Sequence, residues 1–183
     1  MLGDARRYEA QAMRELWPQL SDLFETDDGS LPDIFVENLS GDQVRTIYHW
    51  IRTLGDIYCE HGDPTLWDRE QQCDAAIKSL DDPAQLVVDG RVEPFRHGLT
   101  EFSVSGVRLP QLTVKVSPNE IEFDYRMGSE WGPSQVAALF DFLWAIQQMS
   151  PSAKISHSHE GESKRTPSFT NAWCGFTRDK SAT

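Results

Sequence analysis

The chain has 183 residues, enough for one substantial hydrophobic core, so we expect a single globular domain over 1–183. Its formal net charge of −12 argues against nucleic acid and anionic membranes as partners, and no apolar run approaches the ~18 residues of a membrane span. The chain does not start with a signal-peptide pattern, so we expect a cytoplasmic protein. Cys59, Cys73 and Cys174 form no C-x-x-C pair, so we expect no zinc site and no cofactor, and we expect the cysteines to be reduced and mostly packing residues.

The excess negative charge lies in the first half of the chain. Residues 1–93 contain 20 acidic and 8 basic side chains, whereas residues 94–183 contain 9 of each, and residues 22–42 hold seven carboxylates and no cation. Such a field speeds encounter with a basic partner, although solubility alone also explains an acidic surface. The expected partner-binding residues are Asp22, Glu25, Asp27, Asp28, Glu37, Asp56, Glu60 and Asp63.

Apolar side chains spaced three to four residues apart mark helices in the first half, and alternation marks strands. The Ser40-Gly41-Asp42 stretch supplies capping side chains for the second of these helices, and we expect this helix to pack as a hairpin with the helix that follows it. In order, we predict a helix over 5–24 that Pro18 kinks or divides, a strand over 31–36, a helix from Ser40 to Tyr58, a helix over 66–80, and strands over 86–88 and 100–107.

A β-hairpin of about 111–126 is the central element of the predicted fold. Two alternating segments flank the turn Ser117-Pro118-Asn119-Glu120, and this turn pairs Val116 with Ile121 and Val114 with Phe123. The opposite face, with Glu122 and Asp124, is then expected to face solvent.

After the hairpin, Pro133 suits the first position of a helix, which the apolar stripe carries to Met149. Strands are predicted over 153–159 and 169–176, joined by a polar loop near 157–168, and the chain is expected to fray from Thr177. The predicted fold is α+β, an antiparallel sheet with the central hairpin packed against several helices.

Few residues in the sequence are candidates for catalysis or metal binding. His157 and His159 alternate on a strand as metal ligands can, but no third ligand is evident, and such a pair beside a polar loop is typical of solvated surface. Glu122 and Asp124 resemble the paired carboxylates of a hydrolase, and their spacing is equally typical of any solvent-facing strand. Cys59 and His61 are too close in sequence for a nucleophile and its base, and phosphate-loop, dinucleotide and hydrolase motifs are absent from the sequence.

Two stretches carry a resemblance to a known group. Leu31-Pro32-Asp33-Ile34 precedes a capped helix, and Phe123-Asp124-Tyr125-Arg126-Met127-Gly128 precedes Trp131. With the acidic composition, these features resemble bacterial polymorphic-toxin immunity proteins, including those of type VI secretion effectors, without assigning a subfamily. The resemblance implies a cytoplasmic, non-enzymatic protein that neutralises a cognate toxin by stoichiometric contact through acidic and aromatic surface.

Two other classes of function remain open. A small metal-dependent hydrolase would use the His157 and His159 pair or the Glu122 and Asp124 pair. An acidic nucleic-acid mimic or an effector chaperone would share the charge of an immunity protein but bind a different partner.

Overall fold

The computed structural model describes residues 16–182, in which strands and helices are interspersed. The strands are β1 (Asp33–Glu37), β2 (Asp56–Tyr58), β3 (Thr65–Asp68), β4 (Cys73–Ala76), β5 (Phe95–Thr100), β6 (Ser103–Val104), β7 (Val107–Arg108), β8 (Leu112–Ser117), β9 (Glu120–Tyr125) and β10 (Lys154–Ser158). The α-helices are α1 (16–24), α2 (Gly41–Ile51), α3 (Pro83–Val88), α4 (Pro133–Met149) and α5 (Pro167–Ser181), and Ile77–Ser79 form a 3-10 turn.

Six strands form one antiparallel sheet in the order β10-β1-β9-β8-β5-β2. The pairs β3–β4 and β6–β7 form two small separate hairpins. The α+β class is therefore confirmed. None of the helices within 16–182 is both long enough and apolar enough to cross a bilayer.

The central hairpin has the predicted register, with Val116 opposite Ile121 and Val114 opposite Phe123. The side chains of this face are fully buried beneath α4, where the ring of Phe142 meets that of Phe123 at 5.2 Å between centroids. On the same face the ring of Phe24, from α1, stacks on Tyr125 at 4.7 Å. Helices α1 and α4 thus both contact this side of the sheet.

The opposite side of the sheet, here called the polar face, carries the alternate residues of each strand. The register places Asp33, Phe35 and Glu37 of β1 beside Glu122 and Asp124 of β9, followed by Thr113 and Lys115 of β8, Arg96 of β5 and Tyr58 of β2. The expectation that Glu122 and Asp124 face solvent is wrong, because both are buried. They lie on an interior strand, where side chains of the flanking strands cover them.

Helix α2 begins where predicted, with Ser40 and Gln43 forming a reciprocal capping box. It ends at Ile51 rather than Tyr58, and Ile57 and Tyr58 belong to strand β2. Between the helix and β2 the chain passes close to β5 at Gly55, where a Cβ would lie 2.4 Å from the carbonyl oxygen of Thr100. Only glycine lets the chain pass so close to β5.

Residues 66–80 do not form a helix, and the predicted helical hairpin is wrong. They include most of the β3–β4 hairpin, whose first strand alternates exposed and buried side chains. Asp68 stabilises the turn by accepting hydrogen bonds from the backbone of Glu70 and Gln71, and Arg91 donates two more to it from a distant segment. These contacts outweigh the helical spacing of the apolar residues.

Two predicted strands are helices. Residues 86–88 end α3, which Asp82 caps by accepting from the backbone of Gln85, with Pro83 in the first turn. Residues 169–176 lie in α5, where the buried residues recur at helical spacing as Phe169, Ala172, Trp173 and Phe176. This helix continues to Ser181, so the chain does not fray from Thr177.

Three further predictions concern the first helix, the strand over 100–107 and the cysteines. Residues 16–24 are helical, whereas 5–15 lie outside the described residues. The strand predicted over 100–107 is divided between the end of β5 and the β6–β7 hairpin. The cysteines are not packing residues, because Cys59, Cys73 and Cys174 are all exposed.

Candidate functional site

Three carboxylates converge on the polar face, at the centre of the sheet. Asp33 of β1 pairs directly with Asp124 of β9, and Glu122 lies two residues before Asp124 on the same face. One carboxylate oxygen from each lies within 4.8 Å of the others. We call these residues the acidic trio.

The two basic side chains beside the acidic trio neutralise it unevenly. Arg96 approaches both Glu122 and Asp124 at 3.4 Å, and Lys115 lies 2.8 Å from Glu122. Within residues 16–182, no side chain forms a hydrogen bond or ion pair with the carboxylate of Asp33. Burial, followed by the charges of Glu122 and Asp124, raises the pKa of Asp33 from 3.8 to about 6.

A surface cavity of about 450 Å³ adjoins the trio, and Asp124 forms part of its wall. Leu31 and Tyr58, which also line it, are unusually exposed for large apolar side chains, at 39% and 40%. A Cβ at Gly98 would lie 3.1 Å from the Tyr58 ring, so glycine gives that ring room to lie against the sheet. The full lining is Leu31, Tyr58, Glu60, Pro110, Gln111, Thr113, Asp124, Tyr125, Arg126 and Glu130. We call this space the Tyr58 cavity.

The cationic side chain in the lining of the Tyr58 cavity is already paired. The Nε of Arg126 donates to Asp27 at 2.8 Å, and this contact lowers the pKa of Asp27 below its usual value. Glu60 and Glu130 also line the cavity and are exposed. The cavity and its immediate surroundings therefore carry net negative charge.

The structure brings only some of the predicted partner-binding residues to this cavity. Glu60 lines it, and Asp27 lies at its rim through Arg126. The others are distributed elsewhere: Asp22 and Glu25 are exposed near the end of α1, Asp28 accepts hydrogen bonds from Ser30, Glu37 pairs with Arg165 and Lys154, Asp56 is exposed on β2, and Asp63 pairs with Lys78.

Some carboxylates of residues 22–42 do have cationic partners, from elsewhere in the chain. Arg126 pairs with Asp27, Arg165 with Glu37, and Arg45 approaches Asp42 at 3.5 Å. The local field is accordingly weaker than the count of charges in this interval predicts.

Sequence reasoning missed Asp33, Leu31 and Tyr58 as site residues. The one sequence signal for Asp33 is its position as a carboxylate within an otherwise apolar predicted strand, where charged residues are unusual. Its proximity to Asp124, however, follows from the pairing of β1 with β9, which no local pattern specifies.

The histidine pair is divided by burial. His159 is exposed, but His157 is fully buried, so the expectation of a solvated pair is wrong for His157. Tyr125 donates to the backbone oxygen of Leu23 at 2.9 Å and therefore accepts from His157 Nε2 at 3.0 Å, which leaves Nδ1 to accept from Thr166 at 2.8 Å.

This chain of hydrogen bonds uses both ring nitrogens of His157, so neither is free to bind a metal. Burial lowers the pKa of His157 to about 3, which keeps the ring neutral. Within the part of the chain that the structure describes, the acidic trio is the one group of three or more side chains placed to hold a metal ion. Cys59 and His61 are both exposed.

The acidic trio can bind a cation. Carboxylate oxygens are ligands for Mg²⁺ and Ca²⁺. Arg96 and Lys115 already lie within 4 Å of two of the three carboxylates and neutralise part of the charge available to any added cation. Comparison of the chain with protein families, curated proteins and solved structures found no match.

Proposed function

We propose that this protein is a cytoplasmic immunity protein, which binds a basic bacterial toxin or effector domain stoichiometrically and catalyses no reaction. The observation that carries the proposal is the Tyr58 cavity, where exposed apolar side chains lie beside incompletely neutralised carboxylates. This combination suits a protein partner, because interfaces combine an apolar core with complementary charge.

Exposed apolar surface in the cavity supports binding rather than solubility as its role. Leu31 and Tyr58 would be more stable against a partner than in water, and tyrosine is enriched among residues that dominate interface energetics. A surface selected only for solubility has no need of large apolar side chains beside carboxylates.

The charge distribution supports a basic partner. The whole chain carries a net charge of −12, and exposed Asp22, Glu25 and Asp28 extend the acidic surface beyond the cavity. Such a field accelerates the approach of a cationic domain and repels nucleic acid.

The test is co-expression with the product of a toxin gene that adjoins the gene for this chain. The proposal predicts that the chain restores growth of cells that produce the toxin, and that the two purified proteins form a complex of fixed stoichiometry. Growth arrest in the presence of abundant folded chain, with no complex in size-exclusion chromatography, would contradict it.

A metal-dependent hydrolase centred on the acidic trio is the second candidate. Its support is the close approach of the three carboxylates and the raised pKa of Asp33, about 6, which suits a general acid or base near neutral pH. Saturable Mn²⁺ or Mg²⁺ binding together with metal-dependent ester or phosphodiester hydrolysis, both lost in Asp33→Asn, would establish it over the immunity proposal.

A further inference from the structure

We infer that the Tyr58 cavity receives an arginine side chain of the partner protein, whose guanidinium group binds Asp124 and Asp33. The inference rests on the proposed function, which it makes more specific. Three features of the site support it: the incomplete pairing of the two carboxylates, the existing guanidinium contact within the trio, and the apolar lining of the cavity.

Asp124 is a nearly buried charge with too few partners. It is 4% exposed, and its ion pair with Arg96 spans 3.4 Å, longer than a good charge-assisted hydrogen bond. A carboxylate with so little exposed surface gains from additional hydrogen-bond donors, because few water molecules can reach it. Asp124 lines the cavity, so donors from a ligand can reach it.

Asp33 adds a second acceptor beside Asp124. One of its carboxylate oxygens lies within 4.8 Å of an oxygen of Asp124, and no side chain among residues 16–182 pairs with it. A planar guanidinium group carries five N–H donors and can bridge two carboxylates, whereas an ammonium group is a compact point charge. The pair therefore favours arginine over lysine.

The protein already contains such an arrangement. The guanidinium group of Arg96 bridges Glu122 and Asp124, with its two terminal nitrogens each 3.4 Å from one carboxylate. A second guanidinium group that approached from the cavity would complete the neutralisation of Asp124 and Asp33. The opposing charge in the cavity lining is Arg126, which Asp27 already neutralises.

The cavity walls suit the rest of an arginine side chain. Tyr58 offers an aromatic surface, on which guanidinium groups stack, and Leu31 offers apolar contact for the methylene stem. The volume of about 450 Å³ is within the roughly 300–1,000 Å³ range of small-ligand sites.

The experiment is an NMR titration of the isotopically labelled full chain with N-acetyl-arginine amide. We expect saturable shifts of backbone amides at Tyr58, Thr113 and Asp124, at about millimolar affinity because the probe is a single side chain. N-acetyl-lysine amide should bind more weakly, and Ca²⁺ and Mg²⁺ should not shift these amides. A stronger response to lysine or to either metal, or no response to arginine, would overturn the inference.

Variants identify the groups responsible. Asp33→Asn should weaken arginine binding about tenfold, from the loss of charge-assisted hydrogen bonds, and Tyr58→Ala about threefold. Asp74→Asn removes the same charge from an exposed position on the β3–β4 hairpin and should leave affinity unchanged. Tyr58 is exposed at 40%, so its variant should fold and tests the site independently of the carboxylates. If both Tyr58→Ala and Asp33→Asn bound arginine as tightly as the unmodified chain, this site would be excluded.

The same variants separate this inference from the proposed function. If the chain restores growth and binds the product of the adjoining toxin gene, but Asp33→Asn and Tyr58→Ala bind that product as tightly as the unmodified chain, the arginine site is wrong and the immunity function stands. If the arginine probe binds but no toxin is neutralised, the site stands as a guanidinium site and the immunity function is wrong.

Discussion

At the scale of single residues, Asp33 shows how a binding group can reduce the stability of the protein that carries it. Burial and neighbouring charges raise its pKa to about 6, above the unfolded value near 3.8. The folded state therefore binds more protons than the unfolded state between these values, and the ionised group opposes folding at pH 7.

Asp33→Asn should accordingly stabilise the protein at pH 7, by about 1 kcal/mol once solvent screening of this half-buried group is taken into account. Urea denaturation measures the effect, and Asp74→Asn is the exposed control. The difference from the unmodified protein should shrink as the pH falls through 6 and vanish below 3.8. A variant less stable than the unmodified protein at pH 7 would show that Asp33 has a stabilising partner.

His157 has the opposite pH dependence. Its folded-state pKa of about 3 lies below the usual 6.5, so the unfolded state takes up the proton first as the pH falls. The stability that the neutral ring contributes is complete above pH 6.5 and decreases between pH 6.5 and 3, at up to ~1.4 kcal/mol per pH unit.

His157→Ala should cost about 3 kcal/mol at pH 7, because it leaves a cavity and removes the partner of Tyr125 and Thr166. It should also flatten the acid side of the stability curve relative to the unmodified protein. The control is His159→Ala, since His159 is exposed. Equal denaturation midpoints for the two variants would contradict the buried hydrogen-bond chain.

The sequence could not reveal the burial of His157. Its strand lies at one edge of the sheet, and an edge strand followed by a polar loop is usually solvated. The ring is buried because Phe169 of α5 stacks on it at 5.1 Å, and the sequence pattern of residues 169–176 favours a strand instead of this helix. The burial of Asp33 and its carboxylate neighbours could not be predicted either, because they depend on pairing with strands that are distant in sequence.

At the scale of elements, the central hairpin was predictable because three local signals agree. Alternation, a proline-containing turn and the separation of apolar from polar faces all specify one register for β8 and β9. The β3–β4 hairpin lacked such agreement. Its apolar residues fit helical spacing, and the contact that holds its turn comes from Arg91, outside the hairpin.

Phe123→Ala tests the hairpin's packing against α4. The ring is fully buried against Phe142, so truncation should cost about 3–5 kcal/mol in the free energy of unfolding. Thr113→Ala, on the polar face of the adjacent strand, is the control for changes within the same hairpin and should cost far less. An unchanged denaturation midpoint for Phe123→Ala would be inconsistent with this register.

At the scale of the whole molecule, long-range steering and close contact should affect different rate constants. The exposed carboxylates of Asp22, Glu25 and Asp28 contribute to the field around the molecule, whereas Asp33 and Asp124 act only at contact. Asp27 differs from its neighbours because it holds Arg126.

Replacing Asp22, Glu25 and Asp28 by their amides should slow association with a basic toxin domain by about two- to fivefold at low salt and reduce its salt dependence. The triple variant should hardly change the dissociation rate. Asp33→Asn should instead raise the dissociation rate and leave the association rate nearly unchanged. Stopped-flow measurements at several salt concentrations separate the two effects. If the triple variant retains the association rate and salt slope of the unmodified protein, this segment serves solubility alone.

The position of α5 has a consequence for synthesis of the protein. Phe169, Trp173 and Phe176 of this helix surround Phe140 of α4, with ring centroids 5.3, 5.6 and 5.4 Å away. Since α5 is the last of the described elements to leave the ribosome, Phe140 and the ring of His157 stay uncovered on the nascent chain until then. A product truncated before Pro167 would keep its sheet strands but expose this aromatic surface to chaperones and proteases.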